Sequence, residues 1–234
     1  MAESRKETRQ EKAGTVKSRI FKIVAIVLIV AGAGVLGFAG FQKLYVNYQQ
    51  SKLREEFQAT AGFKRVDLVP EKVAIEAWEP MRLVIPKLEV DLITVGGEGV
   101  SVFDRSMLDK GPTHFNNLTS MGVNVLGDLP NTERGNVAFA GHRAGRWNFF
   151  LNIDKLQEGD EIYLDVAGYR FIYEVEWVKV FGKYDWEPLE TTDYPAITLQ
   201  TCDPPHVSNP NYRLMARGAL ESVIPLPVEL PDAN

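Results

Sequence analysis

Three hydrophobic patterns follow one another along this chain of 234 residues. Residues 23–41 form an unbroken apolar stretch, and residues 42–66 space their apolar side chains as one face of a helix does. From about residue 78 the pattern changes to short apolar stretches separated by turn residues, which is typical of β-strands. The chain therefore predicts a long N-terminal helix followed by a β-domain.

The clearest strand signal is the alternation within residues 169–181. Phe171 and Tyr173 fall on one face there, and Glu174 and Glu176 fall on the other. Several short strands at such spacing favour a mainly β sandwich or barrel. Further strands are predicted at residues 82–85, 136–141, 161–166, 197–201 and 212–220, and a helical pattern occurs at 148–156.

Residues 23–41 hold nineteen positions without a charged side chain, just enough to cross the hydrocarbon core of a bilayer as a helix. Residues 1–22 have a net charge of +4, which predicts a cytoplasmic basic tail, and we expect them to be disordered. A cleaved signal peptide is the alternative, but its apolar region is shorter and ends in a small-residue site. Because Phe41 is followed by Gln42-Lys43-Leu44-Tyr45, the sequence predicts an uncleaved single-pass anchor in the cell membrane. The rest of the chain would then be extracellular.

Composition and charge limit which partners the β-domain can have. With 45% apolar and 24% charged residues, the chain can bury a core. The total net charge is −5, which leaves −9 on the part after residue 22. An acidic domain binds nucleic acid poorly because phosphate contacts dominate that affinity, so we expect no nucleic-acid partner.

Cys202 is the only cysteine of the chain and ends the apolar stretch at residues 196–202. Domains outside the membrane usually pair their cysteines in disulfides, and this one has no partner within the chain. It is therefore either a small buried apolar residue or a working thiol. A working thiol reacts as the thiolate and needs a base or a positive neighbour.

Three histidines and two arginines are candidates for these supporting roles, and a structural role is the alternative for each. His142 directly follows an apolar strand, whereas His114 lies in a turn-like sequence and His206 in a Pro-rich loop. Arg213 opens the strand after the cysteine, and its planar guanidinium suits a developing oxyanion. Arg217 lies four residues further along the same face and is the second candidate.

Taken in order, these motifs resemble the pattern of the sortases, which have a His after an apolar strand, then T-L-x-T-C, then an Arg about a dozen positions later. The matching residues are Gly141-His142-Arg143, Thr198-Leu199-Gln200-Thr201-Cys202 and Arg213. Residues 82–91 also resemble the first strand of that family, and Gly111-Pro112-Thr113-His114 resembles its G-P-x-H turn. The resemblance covers roughly residues 80–221, and the pattern looks closer to class D or E than to class A.

The resemblance implies an eight-stranded sortase-type β-barrel with short helices, preceded by the transmembrane helix. Carried over, Cys202 is the nucleophile, His142 the general acid and base, and Arg213 the group that stabilises substrate and oxyanion. Thr198 and Thr201 of the same motif are candidate substrate-binding residues. The implied activity is that of a membrane-anchored cysteine transpeptidase. It would cleave an LPxTG-like sorting motif through a thioacyl-enzyme and pass the protein to an amine of a cell-wall precursor or a protein lysine.

The predicted segments are a tail, a transmembrane helix, a stalk or linker, a catalytic domain and an extended C-terminal tail. Their bounds are 1–22, 23–41, 42–79, 80–221 and 222–234. No cofactor or metal is predicted; some sortases use calcium, but the acidic residues here indicate no calcium site. Two other functions stay open on the residues alone: a hydrolytic cysteine protease, and a non-catalytic membrane-anchored binding module in which Cys202 is buried and unreactive.

Overall fold

The chain forms two compact units, residues 1–45 and 46–234. The structure, a computed structural model, describes residues 2–60, 68–97, 100–116, 118, 122, 127–145 and 148–226, with side chains from residue 21 onward except 39. Part of the predicted linker, residues 61–67, and the end of the predicted C-terminal tail, residues 227–234, lie outside the described residues.

Helix α1 occupies Ala2–Thr60, so the prediction of disorder for residues 1–22 is wrong. Its part from Phe21 to Thr60 contains a stretch that is long and apolar enough to cross a membrane, and none of that stretch is buried within the protein. The helix is therefore compatible with the predicted anchor at residues 23–41. A helix whose apolar side chains face outward all round needs an apolar surrounding, which a bilayer supplies.

The strands of the β-domain are β1 Arg82–Ile85, β2 Val90–Ile93, β3 Thr113–His114, β4 Gly135–Ala140, β5 Glu161–Val166, β6 Tyr169–Gly182, β7 Pro195–Asp203 and β8 Tyr212–Pro225. They form one eight-stranded sheet with strand order β2-β1-β5-β6-β8-β7-β4-β3. Val95, two residues beyond the outer strand β2, forms a bridge with Thr113 of the other outer strand, β3, and the N–H of Val95 donates to the carbonyl of Pro112 at 2.7 Å. The sheet thus curls into a barrel, and the predicted mainly β, eight-stranded sortase-type fold is confirmed.

Within the described residues, the short helices are α2 at Arg105–Leu108 and 3₁₀ helices at Pro86–Leu88, Ile153–Lys155 and Glu187–Leu189. The strand predicted at residues 82–85 is confirmed, and it ends where Pro86 begins the first 3₁₀ helix. The rest of the stretch 82–91 turns at Glu89 and begins a second strand, β2. Residues 148–156 hold only the 3₁₀ helix Ile153–Lys155, because their apolar side chains fill the barrel core rather than one face of an α-helix.

The core lies inside the barrel and follows the alternation of the strands. In β6, Phe171, Tyr173 and Val175 are at most 1% exposed, whereas Glu174 and Glu176 face solvent. Residues of opposite character thus fall on opposite faces of one strand, as the period of two requires. The burial of these side chains supplies the main driving force for closing the sheet.

The end of helix α1 belongs to the same unit as the barrel. Phe57 is fully buried and packs with Ile93 of β2. Arg54 forms an ion pair with Asp91 at 3.2 Å, and the carboxamide of Gln50 both accepts from the N–H of Ile93 at 2.8 Å and donates to its carbonyl at 3.2 Å. Within the predicted stalk, the segment 46–60 is therefore packed against the β-domain.

Three strand ends meet at one edge of the sheet. Strands β4 and β7 are parallel neighbours, with Ala140 opposite Gln200, so the residues that follow them emerge side by side. Strand β8 runs antiparallel to β7 and starts at the same edge, with Cys202 opposite Arg213. The sheet thereby gathers residues that are far apart in sequence.

Candidate active site

A cavity of about 250 Å³ lies at this edge of the barrel. Cys202, His142 and Arg213 all line it, so the structure brings together the three predicted catalytic side chains. The rest of its wall is mostly apolar and aromatic, and includes Val102, Phe103, Leu108, Phe115, Ala140, Gly141, Lys183, Tyr184, Trp186, Gln200 and Thr201. A largely apolar cavity with a few convergent polar groups is the usual form of a ligand site.

The backbone before His142 is fixed against strand β7. The N–H of Gly141 donates to the carbonyl of Gln200 at 3.0 Å, and the hydroxyl of Thr201 donates to the carbonyl of Gly141 at 2.7 Å. The glycine is required because a Cβ at this position would lie 2.6 Å from the ring of Phe150. These contacts hold the imidazole of His142 beside the end of the strand that carries the cysteine.

The thiol and the guanidinium sit directly across the β7–β8 ladder. Cys202 and Arg213 are paired residues of these strands, and Cys202 is partly exposed. Nη1 of Arg213 donates to the carbonyls of Pro210 at 3.0 Å and Tyr212 at 2.8 Å. Within the described part of the chain, these are its only hydrogen bonds, so Nε and Nη2 are available to a substrate oxygen.

An ion pair links the residues that follow the histidine and the cysteine. Nη1 of Arg143 contacts Oδ1 of Asp203, and its Nη2 lies 3.3 Å from Oδ1 of Asp154. The Arg143 side chain is 7% exposed, and that of Asp203 is 24% exposed. Sequence reasoning gave Arg143 no role beyond the motif; the structure shows that it fastens the His142 loop to the end of β7.

The two threonines of the motif occupy different surroundings. Thr201 lines the cavity, which agrees with a place beside the substrate, although its hydroxyl is engaged by Gly141. Thr198 is fully buried, lies outside the cavity wall, and donates to Oδ1 of Asn136 at 2.7 Å. We therefore propose a structural role for Thr198 and retain Thr201 as a candidate substrate contact.

Arg217, the second arginine candidate, lies outside the cavity wall. Its Nη2 donates to the carbonyl of Pro188 and its Nε to Thr198 Oγ1 at 3.3 Å. The guanidinium also stacks over the ring of Trp177 at 5.0 Å from its centroid. These contacts engage Arg217 within the protein and leave Arg213 as the arginine that faces the thiol.

The other two histidines lie away from the cavity wall. His206 is exposed. His114 is 3% exposed and stacks on Trp78, while its Nδ1 and Nε2 contact Asn116 Oδ1 and the carbonyl of Asp128, each at 2.9 Å. Burial lowers the pKa of His114 below its ordinary value, and these two acceptors only partly oppose the effect.

The charge environment of His142 combines burial with two charged neighbours. Burial lowers the pKa of His142 below its ordinary value, the carboxylate of Asp109 acts in the opposite direction, and Arg105 lowers the pKa further. The net effect lowers the pKa of His142 and so favours the neutral imidazole over the imidazolium. A neutral imidazole can accept the proton of a thiol, which a base in this position must do.

Among the described residues, no cluster of three or more His, Cys, Asp and Glu side chains is arranged to hold a metal ion. The chemistry available in the cavity is that of a thiol, an imidazole and a guanidinium. A thiol can form a covalent acyl intermediate, an imidazole can move protons, and a guanidinium can stabilise an oxyanion. The fold and this site define the class of cysteine-dependent acyl-transfer enzymes.

Comparison with known proteins specifies the family. The family profile of the Sortase domain matches residues 83–221. Sortase A of Bacillus anthracis is 30% identical over 192 residues, which cover 80% of this chain and 88% of that protein. Sortase SrtE1 of Streptomyces coelicolor is 27% identical over 249 residues, which cover 99% of this chain and 65% of that protein. The crystal structure of Listeria monocytogenes sortase A is similar with a TM-score of 0.50 and 26% identity, covering 63% of this chain and 90% of that one.

The chain therefore belongs to the sortase family, whose members are cysteine transpeptidases. Relatives named sortase A and sortase E both match, so the placement nearer to class D or E stays a prediction. The chain spans about two thirds of the length of SrtE1 and most of the length of the B. anthracis sortase A.

Proposed function

We propose that this protein is a membrane-anchored cysteine transpeptidase that cleaves an LPxTG-like sorting motif and transfers the cleaved protein to an amine. The observation that carries the proposal is the convergence of Cys202, His142 and Arg213 on one cavity from three strand ends. Membership of the sortase family supports the same reaction.

Acylation begins when His142 takes the thiol proton of Cys202. The thiolate attacks the carbonyl carbon of the threonine in the sorting motif, and the available donors of Arg213 stabilise the oxyanion that forms. The intermediate collapses when the peptide C–N bond breaks, and the imidazolium of His142 protonates the leaving glycine amine. The products of this step are a thioester on Cys202 and the released C-terminal fragment.

Deacylation uses the same groups in reverse. An incoming primary amine attacks the thioester carbonyl, His142 removes the extra proton from the amine nitrogen, and the C–S bond breaks. The thiolate then recovers its proton from the imidazolium. An acceptor bound close to the thioester outcompetes water because its effective concentration far exceeds its bulk concentration.

The wall of the cavity suits an apolar peptide segment. Phe103, Trp186 and Leu108 line it, and Phe103 and Trp186 are in edge-to-face contact at 6.2 Å between ring centroids. Burial of a leucine and a proline against such side chains supplies binding free energy at the N-terminal end of the motif. The resemblance to sortases supports this choice of substrate.

The N-terminal helix supports a location at the membrane. We propose that residues 23–41 span the cell membrane once, with the basic tail in the cytoplasm and the catalytic domain outside. The acceptor would then be an amine available at the outer surface, either on a cell-wall precursor or on a protein lysine. Tethering keeps the enzyme near substrates that are themselves at the membrane.

The test is incubation of the full chain in detergent micelles with LPxTG-type peptides, with and without a primary-amine acceptor. We expect cleavage after threonine, a thioacyl adduct on Cys202 by mass spectrometry, and an amide product that appears only with acceptor. Cys202→Ala and His142→Ala are expected to lose activity, whereas His206→Ala, at an exposed site, keeps it. Hydrolysis that is indifferent to acceptor would indicate a protease, and a Cys202 that resists alkylation in the folded protein would indicate a binding module.

A further inference from the structure

His142 has a carboxylate neighbour that belongs to none of the motifs. Nε2 of the imidazole lies 3.2 Å from Oδ1 of Asp109, which directly follows helix α2. The two side chains are 24% and 23% exposed. Their interaction is therefore only partly screened by water. The contact spans 33 positions of sequence.

The segment that carries Asp109 is rigidly held. The N–H of Asp109 donates to the carbonyl of Arg105 at 2.9 Å. The carbonyl of the next residue, Lys110, accepts a hydrogen bond from Nε2 of Gln50 at 2.7 Å. At Gly111 a Cβ would lie 2.8 Å from that same Nε2 atom, so the glycine permits the close approach of helix α1. These contacts hold the backbone that carries the Asp109 carboxylate.

We propose that Asp109 is the positioning residue for His142: its carboxylate accepts the Nε2–H of the imidazole and leaves Nδ1 as the ring atom that exchanges protons with Cys202 and with the leaving amine. This inference rests on the proposed transpeptidase function. A carboxylate that binds one ring nitrogen selects the tautomer in which the other nitrogen carries the free lone pair.

The protons balance with this assignment. In the resting state Nε2 holds its proton and donates to Asp109, and the lone pair of Nδ1 accepts the proton of the Cys202 thiol. The imidazolium then has both nitrogens protonated, and the leaving amine takes the proton from Nδ1. The ring returns to the tautomer in which it started, and no proton passes to Asp109.

Asp109 also offsets unfavourable charge around the ring. The other titratable or charged groups near His142 come from helix α2, the residues that follow strand β6, and strands β7 and β8. The imidazolium formed in the reaction lies among cations, so a fixed anion at Nε2 stabilises it in the transition state. The titratable or charged groups near His142 are Arg105, which also acts on the pKa of His142, and the cavity-lining residues Lys183, Tyr184, Cys202 and Arg213.

The decisive comparison is Asp109→Asn against Asp104→Asn in the full chain. Asp104 begins the same helix and caps it by accepting from the N–H of Ser106 at 2.8 Å, but it does not contact the imidazole. Histidine-selective ¹⁵N and ¹³C labelling followed by NMR reads the tautomer and the pKa of His142 directly. The chain has only three histidines, so His206→Asn and His114→Gln assign the signals.

We expect Asp109→Asn to lower the pKa of His142, to abolish the preference for the Nε2–H tautomer, and to reduce kcat for acylation about tenfold, a part of the 10²- to 10⁴-fold effect of a placed acid–base group. Asp104→Asn is expected to leave the tautomer and the pKa unchanged, and Arg105→Gln to raise the pKa. Asp109→Glu is expected to restore the tautomer preference in part.

An unchanged tautomer and pKa in Asp109→Asn would overturn the inference, even if the activity falls. Equal shifts in Asp104→Asn would overturn it as well, because they would show that the integrity of helix α2 is responsible. Neither NMR readout, the tautomer or the pKa of His142, requires a peptide substrate. A wild-type chain that cleaves no sorting peptide therefore contradicts the proposed function without deciding the role of Asp109, which the NMR comparison still tests.

Discussion

Arg213 carries the guanidinium that we propose stabilises the oxyanion in this site. It is paired with Cys202 across the β7–β8 ladder, and among the described residues only its Nη1 donates to backbone carbonyls. A planar fork fixed through one nitrogen presents its remaining donors in a defined direction. Charge alone would not provide that direction, since an ammonium on a flexible stem has no preferred plane.

Replacement of Arg213 with lysine is therefore expected to lower kcat for peptide cleavage by about 10²-fold, the usual effect of losing an oxyanion donor. The measurement is the rate of thioacyl-enzyme formation with a saturating sorting peptide. Arg217→Lys is the matched control, because Arg217 contacts Pro188 and Trp177 outside the cavity. Its kcat is expected to stay within about threefold of wild type. Full activity of Arg213→Lys together with loss of activity in Arg217→Lys would transfer the role to Arg217.

The sequence is enough to single out some of the candidate catalytic residues but not Asp109. Cys202 was identified because a lone cysteine in a chain predicted to be extracellular needs an explanation, and His142 because it follows a buried strand. Asp109 was missed because a single aspartate after a four-residue helix has no distinguishing pattern. Only its contact with His142, across 33 positions of sequence, distinguishes it.

At the scale of elements, the site lies where the ends of three strands meet. The parallel pair β4–β7 places His142 beside the end of β7, and the antiparallel pair β7–β8 places Arg213 opposite the cysteine. Just beyond the reacting groups, the ion pair between Arg143 and Asp203 joins the His142 loop to the end of β7. A side-chain contact in this position limits how far the thiol and imidazole can separate.

Asp203→Asn is expected to reduce the free energy of unfolding by about 2 kcal/mol, less than for a fully buried pair because Asp203 is 24% exposed. It is also expected to slow thioacyl formation, since the His142 loop loses its link to β7. Denaturant titration and single-turnover rates measure the two effects. Asp154→Asn is the control, because Asp154 contacts the same guanidinium but is 48% exposed. Equal effects of the two substitutions would mean that only the charge balance of Arg143 is involved.

The bounds of some strands follow closely from the sequence, whatever their length. Strand β5 was predicted with the bounds observed, and β6 to within one residue. Strand β3, in contrast, was expected as a turn, because two residues cannot display a period of two. Its existence depends on pairing with β4. Strand β8 extends four residues beyond the catalytic domain predicted to end at residue 221, because its partner β6 is equally long.

At the scale of the whole molecule, the barrel encloses a histidine that the site does not use. His114 lies between Trp78 and Phe139 near the closure of the sheet. Burial lowers its pKa below the ordinary value of 6.5. The folded state therefore resists protonation at a position where the unfolded chain accepts a proton. Below about pH 6.5 the unfolded state binds more protons, so stability falls as the pH decreases.

We therefore expect the free energy of unfolding to decline between pH 8 and pH 5, and His114→Gln to have a shallower decline than wild type. Denaturant titrations at several pH values measure this slope, which is independent of any uniform loss of stability in the variant. His206→Gln is the control, since His206 is exposed and its replacement is expected to leave the slope unchanged. An identical slope in wild type and His114→Gln would contradict the assignment.

The sequence by itself determined the apolar N-terminal helix, the alternation that builds the longer strands, and the order of His142, Cys202 and Arg213 along the chain. These follow from local patterns, since periodicity and motif spacing are properties of neighbouring residues. The tertiary structure decided how the sheet closes, that Arg213 rather than Arg217 faces the thiol, and that Thr198 lies in the interior. It also brought Asp109 into contact with His142 and Arg143 into contact with Asp203. Such assignments depend on contacts between strands and loops distant in sequence, and only the folded barrel brings those residues within bonding distance.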